Sequence, residues 1–81
     1  MDINSINITF ALAIKPKKLT NDNDINHTFI QYIDNDGSIY VTNNILWAAK
    51  YINELDVLMA DKAYIESELP DYEVQCLKLN K

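Results

Sequence analysis

The only glycine of the chain closes the sequence Asp34-Asn35-Asp36-Gly37. On either side lie stretches rich in β-branched and aromatic residues, 29–33 and 38–42. Asp-Gly between two such stretches is typical of a tight β-hairpin, because these residues can supply the positive φ angles of the turn. With a single glycine in the chain, this position is the strongest turn signal. The sequence therefore predicts a hairpin here.

Two further stretches alternate between apolar and other residues. Residues 6–15 do so with a period of two, which predicts a strand at 6–14 that Pro16 ends, since proline cannot donate to a ladder. Residues 72–79 alternate as well, with a change of phase near Cys76 that indicates a bulge. The polar stretch 19–27 between the first strand and the hairpin is predicted to be a surface loop.

A helix is predicted over 54–68, between Asn53 and Pro70. Asn53 is a suitable N-cap, and Asp56 three residues later approximates a capping box. Five apolar residues are placed on one helical stripe, namely Leu55, Leu58, Met59, Ile65 and Leu69. The preceding segment 44–52 has two interpretations: it extends the helix back to Asn44, or residues 46–52 form a short edge strand before a separate helix.

These elements predict one α+β domain over residues 1–81. Three or four antiparallel strands pack against one helix in two layers. The N-terminus carries Asp2 and no basic region, so no signal peptide is expected. The longest apolar run, 8–14, is too short to cross a membrane. We therefore expect a cytoplasmic protein without a membrane partner.

The charge of the chain is distributed unevenly along the sequence. The net charge is −5 and there is no arginine. Residues 19–76 contain eleven acidic residues against two lysines, a net −9, while five lysines lie at the two ends. An acidic body repels phosphate backbones and attracts basic surfaces. The sequence therefore predicts a basic protein surface as the partner and no direct contact with nucleic acid.

No catalytic or metal-binding motif accompanies this charge. His27 is the only histidine and Cys76 the only cysteine, and nothing in the sequence brings them together. Cys76 lies in an apolar strand, where a small buried residue is expected. We expect no enzyme activity, no catalytic residue, no metal and no cofactor.

Seven residues are the candidates for partner binding. Six are acids that are expected to lie on exposed turns or polar stripes and to form an acidic patch. The seventh is Trp47, for which core packing is the favoured interpretation and an interface anchor the other. The candidates are Asp34, Asp36, Glu66, Glu68, Asp71, Glu73 and Trp47.

The stretch FIQYIDNDGSIYVTNN resembles the hairpin of small acidic type II-A anti-CRISPR proteins of Gram-positive phages. The resemblance covers about sixteen residues and depends on Asn35, Asp36, Gly37, Tyr40 and Val41. It implies a small sheet with helices, and acidic side chains that occupy the basic groove of a Cas9-type nuclease. A second resemblance, to small phage proteins with a hairpin, a helix and a closing strand, covers more of the chain. It depends on Tyr40-Val41-Thr42, Ala49-Lys50-Tyr51, Ala60, Ala63-Tyr64-Ile65 and Tyr72-Glu73-Val74.

The expected function is that of a small, phage-encoded acidic protein that occludes the basic, nucleic-acid-binding surface of a host protein. It would act in the host cytoplasm, and its carboxylates would take the place of phosphates as a DNA mimic does. The alternative is a structural or assembly module that associates with itself or with others. Such a module would pair through a strand edge or through an apolar patch of Ile45, Leu46 and Trp47.

Overall fold

The computed structural model describes residues 8–18 and 28–79. Its elements are β1 (Thr9–Pro16), β2 (Thr28–Ile33), β3 (Ile39–Thr42), a 3-10 turn (Ile45–Trp47), β4 (Tyr51–Ile52), α1 (Leu55–Glu68) and β5 (Tyr72–Lys78). The predicted α+β class is confirmed, because one helix packs against one antiparallel sheet. Within the described residues the sheet has five strands rather than three or four. The predicted loop 19–27 and the first residues of the predicted strand 6–14 lie outside the described residues.

Strand β1 is the centre of the sheet. Strand β5 pairs with it along its whole length, from Phe10 opposite Lys78 to Pro16 opposite Tyr72. The other edge of β1 is shared, because β2 pairs near its C-terminal end and β4 near its N-terminal end. The N–H of Ala49 donates to a carbonyl of β2. The chain leading into β4 therefore lies where β1 and β2 separate.

Both faces of β1 are buried. Leu12 and Ile14 point towards α1 and belong to the main core, whose buried members are Leu12, Ile14, Ile30, Tyr51, Leu58, Ile65 and Val74. Ala11 and Ala13 point to the opposite side, which we call the outer face of the sheet. There they form a smaller cluster with Phe29 and Ala48. The short alanine side chains allow the chain around the 3-10 turn to lie close to the sheet.

The buried side of α1 is narrower than predicted. Leu58 and Ile65 are almost fully buried, whereas Leu55 is 60% and Met59 50% exposed. Successive residues of a helix are about 100° apart, so Met59 points away from the line through Leu58 and Ile65. The prediction of one five-residue apolar stripe is therefore wrong for Leu55 and Met59.

The helix begins differently from the capping-box prediction. Glu54 occupies the N-cap position without a side-chain capping bond. Asn53 instead has a positive φ of 56°, which asparagine tolerates better than most residues. Its Oδ1 accepts the N–H of Ile8 at 2.9 Å, and its N–H donates to the carbonyl of Ile8 at 3.0 Å. Asn53 therefore hydrogen-bonds to the backbone of Ile8, just before β1, instead of capping α1.

Segment 44–52 follows neither of its two predicted forms: it contains the 3-10 turn and the short strand β4. The segment does not extend α1, because the 3-10 turn ends at Trp47 and an extended stretch follows it. The strand is shorter than predicted, since β4 contains only Tyr51 and Ile52. It pairs with β1 through the hydrogen-bonding edge that β2 leaves open.

The predicted bulge in the last strand is also wrong. The pairing of β5 with β1 runs without a shift from Tyr72 to Lys78. A shift occurs instead in β2, between Ile30 and Tyr32. The extra residue there explains how Ile30 and Ile33, three positions apart, both pack in the main core.

The predicted hairpin between β2 and β3 is confirmed. The N–H of Gly37 donates to the carbonyl of Asp34 at 2.9 Å, and the N–H of Asp34 donates to the carbonyl of Ser38 at 2.8 Å. Gly37 has a φ of 90°, whereas Asp36 does not have a positive φ. The hairpin therefore has a three-residue loop with glycine in its last position.

Candidate protein-binding surface

Residues 44–50 form a hydrogen-bonded turn, which we call the Leu–Trp turn. The Oδ1 atom of Asn44 accepts the N–H of Leu46 at 3.0 Å, and the carbonyl of Asn44 accepts the N–H of Trp47 at 2.9 Å. The Nζ atom of Lys50 donates to the carbonyls of Ile45 and Ala48, at 2.7 and 2.8 Å. These bonds satisfy backbone groups that would otherwise need water, so the turn is held in place from both ends.

The turn packs two residues against the sheet and exposes the two between them. Ile45 and Ala48, three positions apart, pack against the outer face of the sheet. Because a 3-10 turn has three residues per turn, Leu46 and Trp47 are directed away from that face. Leu46 is 80% and Trp47 65% exposed. The preferred prediction that Trp47 packs in the core is therefore wrong.

A pair of stacked tyrosines lies on the same face of the sheet. Thr42 is opposite Phe29, a residue of the outer-face cluster, and Tyr40 is two positions from Thr42. Side chains alternate along a strand, so Tyr40 also lies on the outer face. Its ring stacks on Tyr32 with a centroid separation of 4.5 Å and an angle of 10°. Both rings are nearly half exposed.

Two of the six predicted acids lie in the loop between the strands of these tyrosines, at the tip of the hairpin. Asp34 and Asp36 are both exposed. The Oδ1 atom of Asp36 accepts the N–H of Ser38 at 2.9 Å, and this bond holds the pKa of Asp36 below its ordinary value of 3.8. No lysine occurs between residues 28 and 44. The hairpin therefore presents negative charge that no cation of its own strands offsets.

The acids at the start of β5 lie in a mixed environment. The Nζ atom of Lys15 is 3.8 Å from Oε1 of Glu73. Asp71 lines a cavity of about 360 Å³ together with Lys17 and Lys18. Antiparallel pairing of β1 with β5 places the lysine-rich end of β1 beside these acids. At this end of the sheet, lysines and acids that are far apart in the sequence are therefore close together in space.

The remaining two acids are on the last turn of α1. Glu66 is exposed and accepts a hydrogen bond from Lys62 at 2.7 Å, and this bond raises the pKa of Lys62. Glu68 is exposed as well. Among the described acids, Asp34 and Asp36 at the hairpin tip are the ones farthest in sequence from any lysine.

The described residues contain no group of three His, Cys, Asp or Glu side chains that could hold a metal ion. Cys76 is exposed rather than buried, because β5 is the outermost strand on its side of the sheet. His27 lies outside the described residues. In the part of the chain that the structure describes, no helix has the length and apolar character needed to cross a membrane.

Sequence reasoning missed the residues that support the surface. The roles of Asn44 and Lys50 in holding the turn were not predicted, although an asparagine before Ile45-Leu46-Trp47 is a typical start signal for a helical turn. The exposed pair of Tyr32 and Tyr40 was also missed. The hairpin register could have revealed this pair, since residues facing each other across strands lie on one face.

Comparison with known proteins gives no match to a family model, to a curated protein or to a solved structure.

Proposed function

We propose that this chain is a protein-binding module that docks on a basic surface of a partner protein. Leu46 and Trp47 serve as its apolar anchor. The observation that carries the proposal is the exposure of these two side chains on a turn whose backbone is held by Asn44 and Lys50. A large aromatic residue on a preorganised support is the usual form of an interface hot spot.

The chemistry of the partner follows from the outer face. The anchor and the stacked tyrosines require an apolar pocket, because their exposed rings gain free energy when water is removed. The hairpin tip adds Asp34 and Asp36, and the chain as a whole carries a net charge of −5. A partner with lysine or arginine around its pocket is therefore attracted over several ångströms and associates faster.

The size of the anchor contribution can be worked out from its exposure. A buried aromatic side chain removes about 150–250 Å² from water. Trp47 is 65% exposed, and at about 25 cal/mol per Å² its burial is worth roughly 2–4 kcal/mol. A Trp47→Ala variant should therefore lower the affinity about 30-fold or more.

The test compares two double variants with the unsubstituted chain. Leu46→Ala/Trp47→Ala removes the anchor, and Leu55→Ala/Met59→Ala removes two similarly exposed apolar residues from α1. Partners captured from a host extract are identified, purified and titrated against all three proteins. A partner that loses affinity only with the first variant supports the proposal. Equal losses with both variants, or no loss with either, overturn it.

Trp47 also provides a direct signal, because it is the only tryptophan of the chain. If the purified partner covers it, its fluorescence should shift to shorter wavelength and become less accessible to a soluble quencher. A tight complex in which the emission and the quenching stay unchanged would contradict the anchor role of Trp47.

A second candidate function is occlusion of a basic, nucleic-acid-binding surface by carboxylates, as the anti-CRISPR resemblance implies. The observation that favours it is the uncompensated negative charge at the hairpin tip. The test uses a purified Cas9-type nuclease and a variant with all six acids changed to Asn or Gln: Asp34, Asp36, Glu66, Glu68, Asp71 and Glu73. Inhibition that weakens with salt and disappears in a folded variant supports this function. A folded variant that inhibits as well as the unsubstituted chain refutes it.

A further inference from the structure

Strand β5 forms an edge of the sheet in the part of the chain that the structure describes. Within the described residues β5 pairs only with β1, and the other side of β5 carries no strand. The strand contains no proline and its register has no shift. An edge of this length without a bulge can accept another strand.

The backbone groups that point outwards can be identified from the pairing. The carbonyl of Asp71 accepts the N–H of Lys17, and the N–H of Leu79 donates to the carbonyl of Thr9. In an antiparallel ladder, residues that exchange hydrogen bonds with the partner alternate with residues that do not. The odd-numbered residues of β5 are therefore bonded to β1. The backbone groups of Val74, Cys76 and Lys78 point to the open edge.

This alternation restricts how β5 could pair with a second copy of itself. The residues that exchange backbone hydrogen bonds between the two copies must be even-numbered in both. The numbers of two opposite residues must therefore add up to an even value. Pairing about Gln75 meets this condition. It places Val74 opposite Cys76 of the other copy, where both residues exchange backbone hydrogen bonds.

The side chains of β5 complement each other in this register. Glu73 lies opposite Leu77 of the other copy, and Lys78 lies opposite Tyr72, so no like charges meet. The ammonium group of Lys78 can lie against the exposed Tyr72 ring, which is a favourable cation–π arrangement. Gln75 faces itself across the two-fold axis, where its amide can both donate and accept.

We propose that two copies of this chain associate through β5, antiparallel and centred on Gln75, to form one continuous sheet. The dimer presents two Leu–Trp turns and can engage a partner twice, which raises the overall avidity when both sites can be reached. Two copies of net charge −5 repel each other. Added salt should therefore strengthen the dimer, whereas it should weaken binding to a basic partner.

Crosslinking tests the register. Gln75→Cys/Cys76→Ser places two thiols opposite each other in a pair without backbone bonds, where the Cα atoms are about 4.5 Å apart and a disulfide can form. In the matched control Leu77→Cys/Cys76→Ser, each new cysteine lies opposite Glu73 of the other copy, so the two thiols are several residues apart along the strands. Under mild oxidation, the first variant should form a covalent dimer quantitatively and the control should not. Equal crosslinking of the two variants, or none in either, overturns the register.

Sedimentation tests the association itself. At high concentration the unsubstituted chain should sediment with twice its monomer mass of 9.3 kDa, and the dimer fraction should increase at high salt. Cys76→Pro removes an N–H that points to the open edge, so it should leave the fold intact and give a monomer. Gln75→Lys, which sets two like charges across the axis, should also weaken the dimer at least tenfold. A 9.3 kDa species at every concentration, or folded variants that dimerise as well as the unsubstituted chain, overturn the proposal.

Discussion

The contact between Gly37 and Tyr64 yields a prediction that the sequence alone could not make. The Oη atom of Tyr64, on α1, donates a hydrogen bond to the carbonyl of Gly37 at 2.7 Å. A Cβ atom added at Gly37 would lie 2.5 Å from the same Oη atom. A Gly37→Ala substitution therefore introduces two problems at once, a strained backbone and a collision with Tyr64.

The magnitude can be estimated from these two effects and from the entropy of the unfolded chain. Alanine at a φ of 90° is strained by about 1–2 kcal/mol. Displacement of the tyrosine loses a hydrogen bond worth about 0.5–1.5 kcal/mol. The lower chain entropy of alanine in the unfolded state offsets about 0.4–1 kcal/mol. The free energy of unfolding should therefore fall by roughly 0.5–3 kcal/mol.

A double-mutant cycle separates the two terms. Tyr64→Phe alone removes the hydrogen bond and should cost about 1 kcal/mol. In the Tyr64→Phe background the Oη atom is absent, so Gly37→Ala should cost only the backbone strain. The two substitutions together should therefore cost less than the sum of the single effects, by about 0.5–1.5 kcal/mol.

The assay is urea unfolding of the four proteins, followed by circular dichroism. The slope of the unfolding free energy against urea should be the same in all four, which makes the midpoints comparable. If the two substitutions are additive within error, Tyr64 does not contact Gly37 and the reasoning is refuted. If Gly37→Ala leaves the midpoint unchanged, Gly37 has an ordinary backbone conformation.

Three further perturbations test the core, the link between β4 and α1, and the hairpin tip. Leu12→Ala removes a side chain with no exposed area and should cost about 2–5 kcal/mol in urea unfolding; a cost below 1 kcal/mol would contradict its place in the core. Tyr51→Phe removes the hydrogen bond from its Oη atom to Asp61 at 2.6 Å and should cost about 1–2 kcal/mol, and an unchanged midpoint would show that this bond is absent. Because the pKa of Asp36 is lowered in the folded chain, its bond to Ser38 stabilises the hairpin above the unfolded pKa of 3.8, and this stabilisation is lost as the pH falls through the lowered value. A carboxyl titration of Asp36 by NMR checks the direction, and a midpoint above 3.8 would contradict it.

Local patterns in the sequence were sufficient for most of the elements. The alternation around Leu12 and the residues before Gly37 specify strands and a turn through neighbours in sequence, so both were predicted close to their observed positions. Pro70 marked the end of α1 for the same reason. The α+β class followed, because one helix and several amphipathic strands can bury their apolar sides only against each other.

The start of α1 and the segment before it could not be predicted in this way. Asn53 is a good N-cap in isolation, but tertiary structure uses its side chain to hold the N–H of Ile8. The sequence of residues 44–52 is compatible with both a helix and a strand. Their conformation is decided by the space that Ala11 and Ala13 leave on the outer face, which Ala48 occupies.

The sequence by itself determined the composition of the candidate surface: an acidic chain, one tryptophan and acids beside a glycine turn. Only the tertiary structure decided which of these groups act together. The pairing of β1 with β5 sets lysines beside Asp71 and Glu73, and the 3-10 turn directs Trp47 outwards. The physical reason is that charge and exposure depend on neighbours in space, and sheet pairing brings together residues such as Lys15 and Glu73 that are far apart in the chain.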